Sequence, residues 1–399
     1  MKNFDIPEKY KSTIISELKL RRKNEDKLKR DFSPTILDFG PIQFTIARHF
    51  GFCYGVENAI EIIYKTIKEN KEKRIFLLSE MIHNPKVNQD LLDMGVVFLM
   101  DTYGNRIIDF DTLTAKDIVV IPAFGTTVEL EQEFKLRGIE LKSYDTTCPF
   151  VEKVWKRSEK LGKEDFTVLI HGKPTHEETR ATFSHSKAFA VSIVIKDIKE
   201  TKLLAEYIEG KRALDDFFEV FKDRTSNGFD PKIHLTKIGV VNQTTMLATD
   251  TQEIADYIKA TLSKIGEKSV FADTRDTLCY ATSDNQKSVY ALLEHDADLA
   301  IVVGGFNSSN TSHLVELCGK VLPTFHIDSA DRILSKEYIQ HFDFENQEIK
   351  ESFFLPKLEK IKILITSGAS CPDATVDEVL MKILHYHTNI RALEEVMND

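Results

Sequence analysis

The sequence predicts an α/β fold built from three similar modules, on three observations. From residue 40 onward, short β-rich apolar runs alternate with segments of helical periodicity, the pattern of a chain with mostly parallel sheets. Three widely spaced cysteines, Cys53, Cys148 and Cys279, each follow an apolar run and a short polar turn and stand where a helix begins. Further strand ends carry histidine, threonine or serine, and ligand sites of open α/β sheets lie beyond the carboxyl ends of their strands. Equivalent modules pointing their thiols at one centre account for all three observations.

Residues 1–39 form a charged N-terminal arm, read as an exposed helix or mobile segment without chemistry of its own. Module 1 (40–147) has the runs Ile42–Ala47 leading to Cys53, Ile75–Leu78 leading to His83, and Ile118–Ile121 leading to Phe124. A helix over 55–70 follows Cys53, with Val56, Ala59, Ile60, Ile63 and Ile67 on one stripe. Module 2 (148–278) takes a strand near Leu141 leading to Cys148, Thr167–Ile170 leading to His176 and Glu178, and Ile238–Val241 leading to Thr244. Pro149 sits where a first helical residue belongs, suiting its fixed φ and absent N–H. Module 3 (279–399) takes Val270 leading to Cys279, Leu299–Val303 leading to Ser308, and Ile361–Ile365 leading to Ser370. The runs near Val96, Ala190 and Thr324 extend the sheets. Segments 210–232 and 329–358, rich in charge and aromatics, are insertions, the second a lid or packing arm.

The chain has 399 residues, 42% hydrophobic and 29% charged, with a formal charge of −10. That balance disfavours broad nucleic-acid or anionic-membrane binding. No run approaches the roughly 20 apolar residues of a membrane span, and no secretory segment is evident, so the expected compartment is cytoplasmic. Five cysteines at wide spacing, with no Cys-x-x-Cys pair, argue against a disulfide framework.

Three convergent thiolates are soft ligands that suit zinc or an iron–sulfur cluster. A structural zinc would want a fourth protein ligand. Helix N-termini behind the cysteines stabilise negative charge there. Gly304 to Ser312 and Thr366 to Asp373 each follow a strand and open a helix, which suits a phosphate and equally suits ordinary helix capping. His83 and His176 are candidate ligand-binding or structural residues. Glu178 is the candidate acid, since a carboxyl in a dry pocket can hold a proton. Cys318 and Cys371 have apolar or proline neighbours and read as packing residues.

Taken in order, Gly51-Phe52-Cys53-Tyr54-Gly55-Val56, Ile82-His83-Asn84, Asp145-Thr146-Thr147-Cys148-Pro149, His176-Glu177-Glu178, Gln243-Thr244-Thr245, Cys279-Tyr280-Ala281-Thr282, Asn307-Ser308-Ser309-Asn310 and Ser367-Gly368-Ala369-Ser370 resemble the 4-hydroxy-3-methylbut-2-enyl diphosphate reductase (IspH/LytB) family. The likeness covers about residues 40–385, and the arm and insertions look like its longer plastid and cyanobacterial branch. The resemblance implies an iron–sulfur oxidoreductase of the non-mevalonate (MEP) isoprenoid pathway. Its modules would stand pseudo-three-fold around one [4Fe-4S] cluster held by Cys53, Cys148 and Cys279, with one iron open. It further implies Glu178 as proton donor, Thr244 hydrogen-bonded to the substrate hydroxyl, and His83, His176, Ser308, Ser309, Asn310 and Ser370 on the diphosphate. A ferredoxin or flavodoxin would supply electrons; no dinucleotide-binding fingerprint is present.

One residue departs from the pattern. Compact members carry histidine where this chain has Phe124, which cannot donate to a diphosphate; His171 and Lys173 are the candidate substitutes. Two other readings compete: a three-cysteine cluster enzyme of quinolinate synthase type, and a non-catalytic zinc-stabilised scaffold or redox sensor.

Overall fold

Parallel strands covered on both faces read as unbroken apolar runs, and here such runs become the sheet centres. In the computed structural model, which describes residues 4–28, 30–266, 269–272 and 277–398, the strands run in chain order as follows. First come β1 (Thr35–Asp38), β2 (Ile42–Ile46), β3 (Ile75–Leu77), β4 (Val97–Phe98) and β5 (Ile118–Val120). Next are β6 (Thr167–His171), β7 (Ser192–Ile195), β8 (Lys237–Asn242) and β9 (Val270–Ala272). The last are β10 (Leu299–Val303), β11 (Thr324–Ile327), β12 (Tyr338–Asp343), β13 (Glu348–Phe353) and β14 (Ile361–Ser367). Residues of β3, β5, β6 and β10 are buried throughout. Mixed α/β architecture with parallel sheets is therefore the fold.

The chain divides into two compact units, one of Met1–Glu57, His83–Gln89 and Tyr280–Asp399, the other of Asn58–Ile82 and Asp90–Cys279. The first unit holds a sheet of order β1-β2-β14-β10-β11. Its β2, β14, β10 and β11 are parallel, with Phe44 opposite Ile363 and Ile365 opposite Ile301, while β1 lies antiparallel along β2. The second unit holds two parallel sheets, β4-β3-β5 and β7-β6-β8-β9.

Pairing shifts the expected strand sets by one. The run before Cys53 joins β14 rather than β3, and the run before Cys279, β9, joins β8. Where a strand was expected near Leu141 there is a 3-10 turn, Lys142–Tyr144, and only Asp145 bridges Ile121 in parallel. Cys148 and Cys279 thus follow the last run of their sheets, whereas Cys53 follows an early run whose sheet is completed by β14. Asp276, in the turn before Cys279, lies outside the described residues.

The arm is not an exposed appendage. Its helix Ile14–Glu25 buries Ile14, Ile15 and Leu18. The carboxylate of Asp377 accepts from the backbone N–H groups of Thr13, Ile14 and Ile15, at 3.1 Å in each case, so the helix start is held on the helix Asp373–His385. Segment 210–232 inserts Phe217, Phe221 and Phe229 into the core beneath β6 and β8. Segment 329–358 is a packing arm: the β12–β13 hairpin sets Phe342 flat on Phe306, ring centroids 4.9 Å apart.

Candidate functional site

Because β2, β14 and β10 are parallel neighbours, their carboxyl ends share one edge of the first unit's sheet. That edge gathers Cys53, Ser370 and Ser308. Gly51, at φ +76°, turns the chain in the left-handed region that glycine tolerates best. The Cys53 N–H then donates to the Ala369 carbonyl at 3.2 Å, and its own carbonyl accepts from Glu57 N–H at 2.9 Å, opening the helix Tyr54–Glu69. The Ser370 hydroxyl donates to the carbonyl of His83 at 3.2 Å. Asn310 Oδ1 accepts from Ala369 N–H at 2.8 Å, fastening the two serine-rich turns together.

Two buried donors in that unit are chemically suited to an anion. Ser309 Oγ and Asn310 Nδ2 have no hydrogen-bond partner among the described residues, although both residues are almost wholly buried. A buried donor left unpaired costs about 1–3 kcal/mol, so a ligand that accepts from it recovers that cost. Ser308 instead caps the helix Ser309–Gly319, its Oγ accepting from Thr311 N–H at 3.3 Å and from the Thr311 hydroxyl at 2.9 Å. Thr311 was not among the expected site residues. Gly304 and Gly368, at the ends of β10 and β14, both leave room for its side chain, and a glycine after each of two strands was the readable signal.

The second unit brings together Cys148, Cys279, His176, Glu178 and Thr244. Cys148 is the N-cap of the helix Pro149–Lys163 and donates its N–H to the Ala123 carbonyl at 3.0 Å. His176 caps the helix Glu177–Lys187, its Nδ1 accepting from Glu178 N–H at 3.2 Å. That bond leaves the ring proton on Nε2. Glu178, 2% exposed, receives the Thr244 N–H on Oε1 at 2.5 Å and the Thr244 hydroxyl on Oε2 at 2.9 Å. The Thr244 carbonyl in turn accepts from Cys279 N–H at 3.3 Å. Acid, hydroxyl and thiol-bearing backbone therefore form one connected chain.

Burial pushes the Cys148 thiol up to about 11, and the nearby Cys279 and Glu178 push in the same direction. A metal that takes this thiolate must displace its proton. Cys53, Cys148 and Cys279 are partly exposed, whereas Cys318 and Cys371 are fully buried, and none of the five is in a disulfide. Burial alone drives Cys318 to about 12, and it is the main cause at Cys371, also about 12; both behave as packing residues. The accessible thiols, at helix starts where backbone N–H groups favour negative charge, suit a soft-metal or iron–sulfur centre. Among the described residues no three His, Cys, Asp or Glu side chains gather into a single-ion site.

Phe124 turns its ring edge-on to His176, centroids 5.8 Å apart at 86°. It shapes the surroundings of that histidine instead of donating. His171 Nδ1 lies 3.2 Å from the Thr251 hydroxyl, and Lys173 N–H donates to Gln243 Oε1 at 3.1 Å. Gln243, fully buried, stands in its motif without an expected role: its Oε1 also accepts from the Thr179 hydroxyl, at 3.1 Å, and its Nε2 donates to Thr245 at 2.8 Å. It fixes the Thr244 turn against the helix of Glu178.

Accessible thiols and a buried acid–hydroxyl pair at the carboxyl ends of parallel strands define an α/β enzyme whose chemistry is carried by cysteine. The family model described as LytB protein matches residues 44–384. The chain belongs to the LytB family. It is 40% identical over 352 residues to a 4-hydroxy-3-methylbut-2-enyl diphosphate reductase of Synechococcus sp. (strain WH7803), covering 87% of this chain and 86% of that protein. It is 38% identical over 384 residues to the reductase so named in Prochlorococcus marinus (strain MIT 9515), covering 95% and 92%. A solved structure described as (E)-4-hydroxy-3-methyl-but-2-enyl diphosphate reductase, the terminal enzyme of the non-mevalonate pathway, aligns with TM-score 0.51 at 25% identity over 85% of this chain and 98% of that one. The Plasmodium falciparum E-1-hydroxy-2-methyl-but-2-enyl-4-diphosphate reductase shares the fold, with TM-score 0.61 at 22% identity over 85% and 86%. No helix among the described residues is long and apolar enough to cross a membrane.

Proposed function

We propose that this chain reduces 4-hydroxy-3-methylbut-2-enyl diphosphate to isopentenyl and dimethylallyl diphosphate, the last step of the non-mevalonate pathway. The observation that carries the reading is the chain Glu178–Thr244–Cys279, which joins a buried acid to a cysteine through one threonine. Membership of the LytB family supports this reading over a quinolinate synthase type of enzyme or a metal-stabilised sensor.

Cys53, Cys148 and Cys279 would hold a [4Fe-4S] cluster, one from each of the modules 40–147, 148–278 and 279–399. When bound, the cluster supplies a Lewis-acid iron and a path for two electrons. The protein's own residues do the rest. The diphosphate would occupy the serine turns, where Ser309 and Asn310 offer donors with no partner among the described residues and Ser308, Ser370 and His83 belong to the same unit; His176 is assigned to it by the family resemblance. Glu178 in its acid form donates from Oε2 to Thr244 Oγ; the threonine hydroxyl then turns its proton toward the substrate's allylic hydroxyl. Proton passage along this pair lets the hydroxyl leave as water. Burial of Glu178 and Thr244 keeps bulk water from short-circuiting the transfer. Electrons come from a small acidic carrier, a ferredoxin or flavodoxin.

An anaerobic assay with the diphosphate substrate and a reduced low-potential donor tests the reaction. Isopentenyl and dimethylallyl diphosphate should form, with iron and acid-labile sulfide in the purified protein. A colourless protein with zinc, no sulfide and no turnover would end the reading.

A further inference from the structure

A second polar cavity lies entirely within the first unit and meets the serine turns only at its margin, through Asp373. Its volume is about 470 Å³, and the arm and the loop before Cys53 both line it. From the arm come Tyr10, Lys11, Lys19 and Lys23; from the loop come Arg48 and the segment Phe50 to Tyr54, Cys53 included. None of Ser308, Ser309, Asn310, Ser370 or His83 lines it.

Arg48 is the unusual wall residue. It is 7% exposed, yet among the described residues no carboxylate comes within ion-pair distance of it. Its Nη2 donates to the Arg22 carbonyl at 3.2 Å, and its Nε has no partner among the described residues. A buried guanidinium is normally paired, because an uncompensated buried charge is strongly unfavourable. Burial, and after it the neighbouring cation Arg22, weaken Arg48's hold on its proton, while the more distant carboxylates Asp26, Asp31 and Glu25 offset part of that without pairing with it. Arg22 itself is ion-paired through Nη2 to Asp31 at 2.5 Å, so among the described residues Arg48 is the unpaired one of the two guanidinium groups. Of the acidic wall residues, Asp373 is taken by Lys19 at 2.6 Å. Opposing this cationic end is an aromatic one: Tyr10 meets Phe52 edge-on at 5.9 Å, and Phe4 meets Tyr54 at 5.0 Å.

We propose that this cavity binds a small phosphate or diphosphate ester with an unsaturated apolar body, its anion on Arg48 and Lys23 and its body against Tyr10 and Phe52. Arginine's fixed fork of donors suits phosphate oxygens. The cavity's size suits a compact metabolite, not a peptide. Because Cys53 shares the wall, the ligand sits beside a thiol assigned to the redox centre, at a place distinct from the substrate turns.

Calorimetric titration of the anaerobic holoprotein with inorganic pyrophosphate, then with dimethylallyl diphosphate, tests this. Wild type should bind two equivalents of each. Arg48→Met should leave one, with the substrate KM unchanged within about twofold. Lys23→Gln, an exposed change that does not threaten folding, should weaken the same step about tenfold, the loss expected for one charge-assisted contact. Asn310→Ala should remove the other equivalent instead. A single equivalent in wild type, or two that persist unweakened in Lys23→Gln, would overturn the cavity site. If Asn310→Ala alone changes nothing, the substrate-turn assignment fails while the cavity stands.

Discussion

Thr244 gives both of its donors to Glu178: the backbone N–H to Oε1 at 2.5 Å and the hydroxyl to Oε2 at 2.9 Å. The two contacts ask different things of the carboxyl group. The N–H bond only positions it, since it survives any change at the threonine side chain. The hydroxyl bond is the one through which a proton can travel. Thr244→Val should therefore retain the carboxylate's position and substrate affinity but lower kcat by about 10²-fold, the order of a lost general-acid relay. Glu178→Gln should lower it at least as far with the cluster intact. Equal kcat in wild type and Thr244→Val, by single-turnover assay, would remove the hydroxyl from the proton path.

Phe124 contributes an edge-on contact to His176 and no hydrogen bond. Phe124→His places a donor in the same turn, at some loss of that ring contact. The expected result is a KM for the diphosphate substrate lower by several-fold below pH 6.5, where the new imidazole is charged, and no gain above pH 8. A KM that rises at every pH would show that the ring contact outweighs any new donor.

The β12–β13 hairpin reaches the turn proposed to bind the diphosphate through stacked rings, Phe342 on Phe306, and Phe306 stands two residues before Ser308. Phe342→Ala should loosen that turn. Stability should fall by about 1–3 kcal/mol, below the range for a fully buried phenylalanine because Phe342 is half-buried. Substrate KM should rise about fivefold with kcat held within twofold, since nothing in the proton chain is touched. Steady-state kinetics and urea melts together separate this from a global loss of fold.

His326 sits unexposed on β11, with Nε2 2.9 Å from the Gly304 carbonyl and Nδ1 without a partner among the described residues. Burial lowers its pKa from 6.5 to about 4. The folded state thus prefers the neutral ring, and the preference is fully in force above pH 6.5. As pH falls from 6.5 toward 4 the unfolded chain takes up the proton first, so stability is lost across that window. The loss at this residue should be about 3 kcal/mol. His326→Gln keeps a donor for Gly304 but cannot ionise, and should show a flatter profile of urea midpoint against pH. Superimposable profiles would assign the acid sensitivity elsewhere.

The cysteine turns were legible because local chemistry marks them: a strand run, a polar turn, and at Cys148 a proline suited to the first helical position. The acid and the serine turns were legible for the same reason. Strand partnership was not, since β2 and β14 find each other across most of the chain and neither run names its neighbour. The strand expected near Leu141 failed because one leucine and one tyrosine among polar residues do not outweigh the turn; Leu141 itself adopts helical angles, φ −104° and ψ −34°. Charge masked the arm, whose helix turns Ile14, Ile15 and Leu18 inward among mostly charged neighbours. Gln243 and Thr311 stand in the motif stretches without an expected role of their own, because their hydrogen bonds depend on packing between elements, which spacing does not encode.

The pairing of β2 with β14 also dictates an order of events during synthesis. Cys53 emerges early, but the strand that completes its sheet is translated roughly 300 residues later, about 15–60 s at ordinary elongation rates. Meanwhile β6, β7, β8 and β9 are complete and can close on their own contacts. The first unit must therefore fold last, by joining the two ends of the polypeptide, a slow step for so non-local a pairing. Its thiol waits through that interval in an unfinished setting, exposed to oxidants and stray metals. Metal loading then belongs after release from the ribosome, and chains cut short before residue 361 should accumulate with an open β2 edge, a ready template for aggregation.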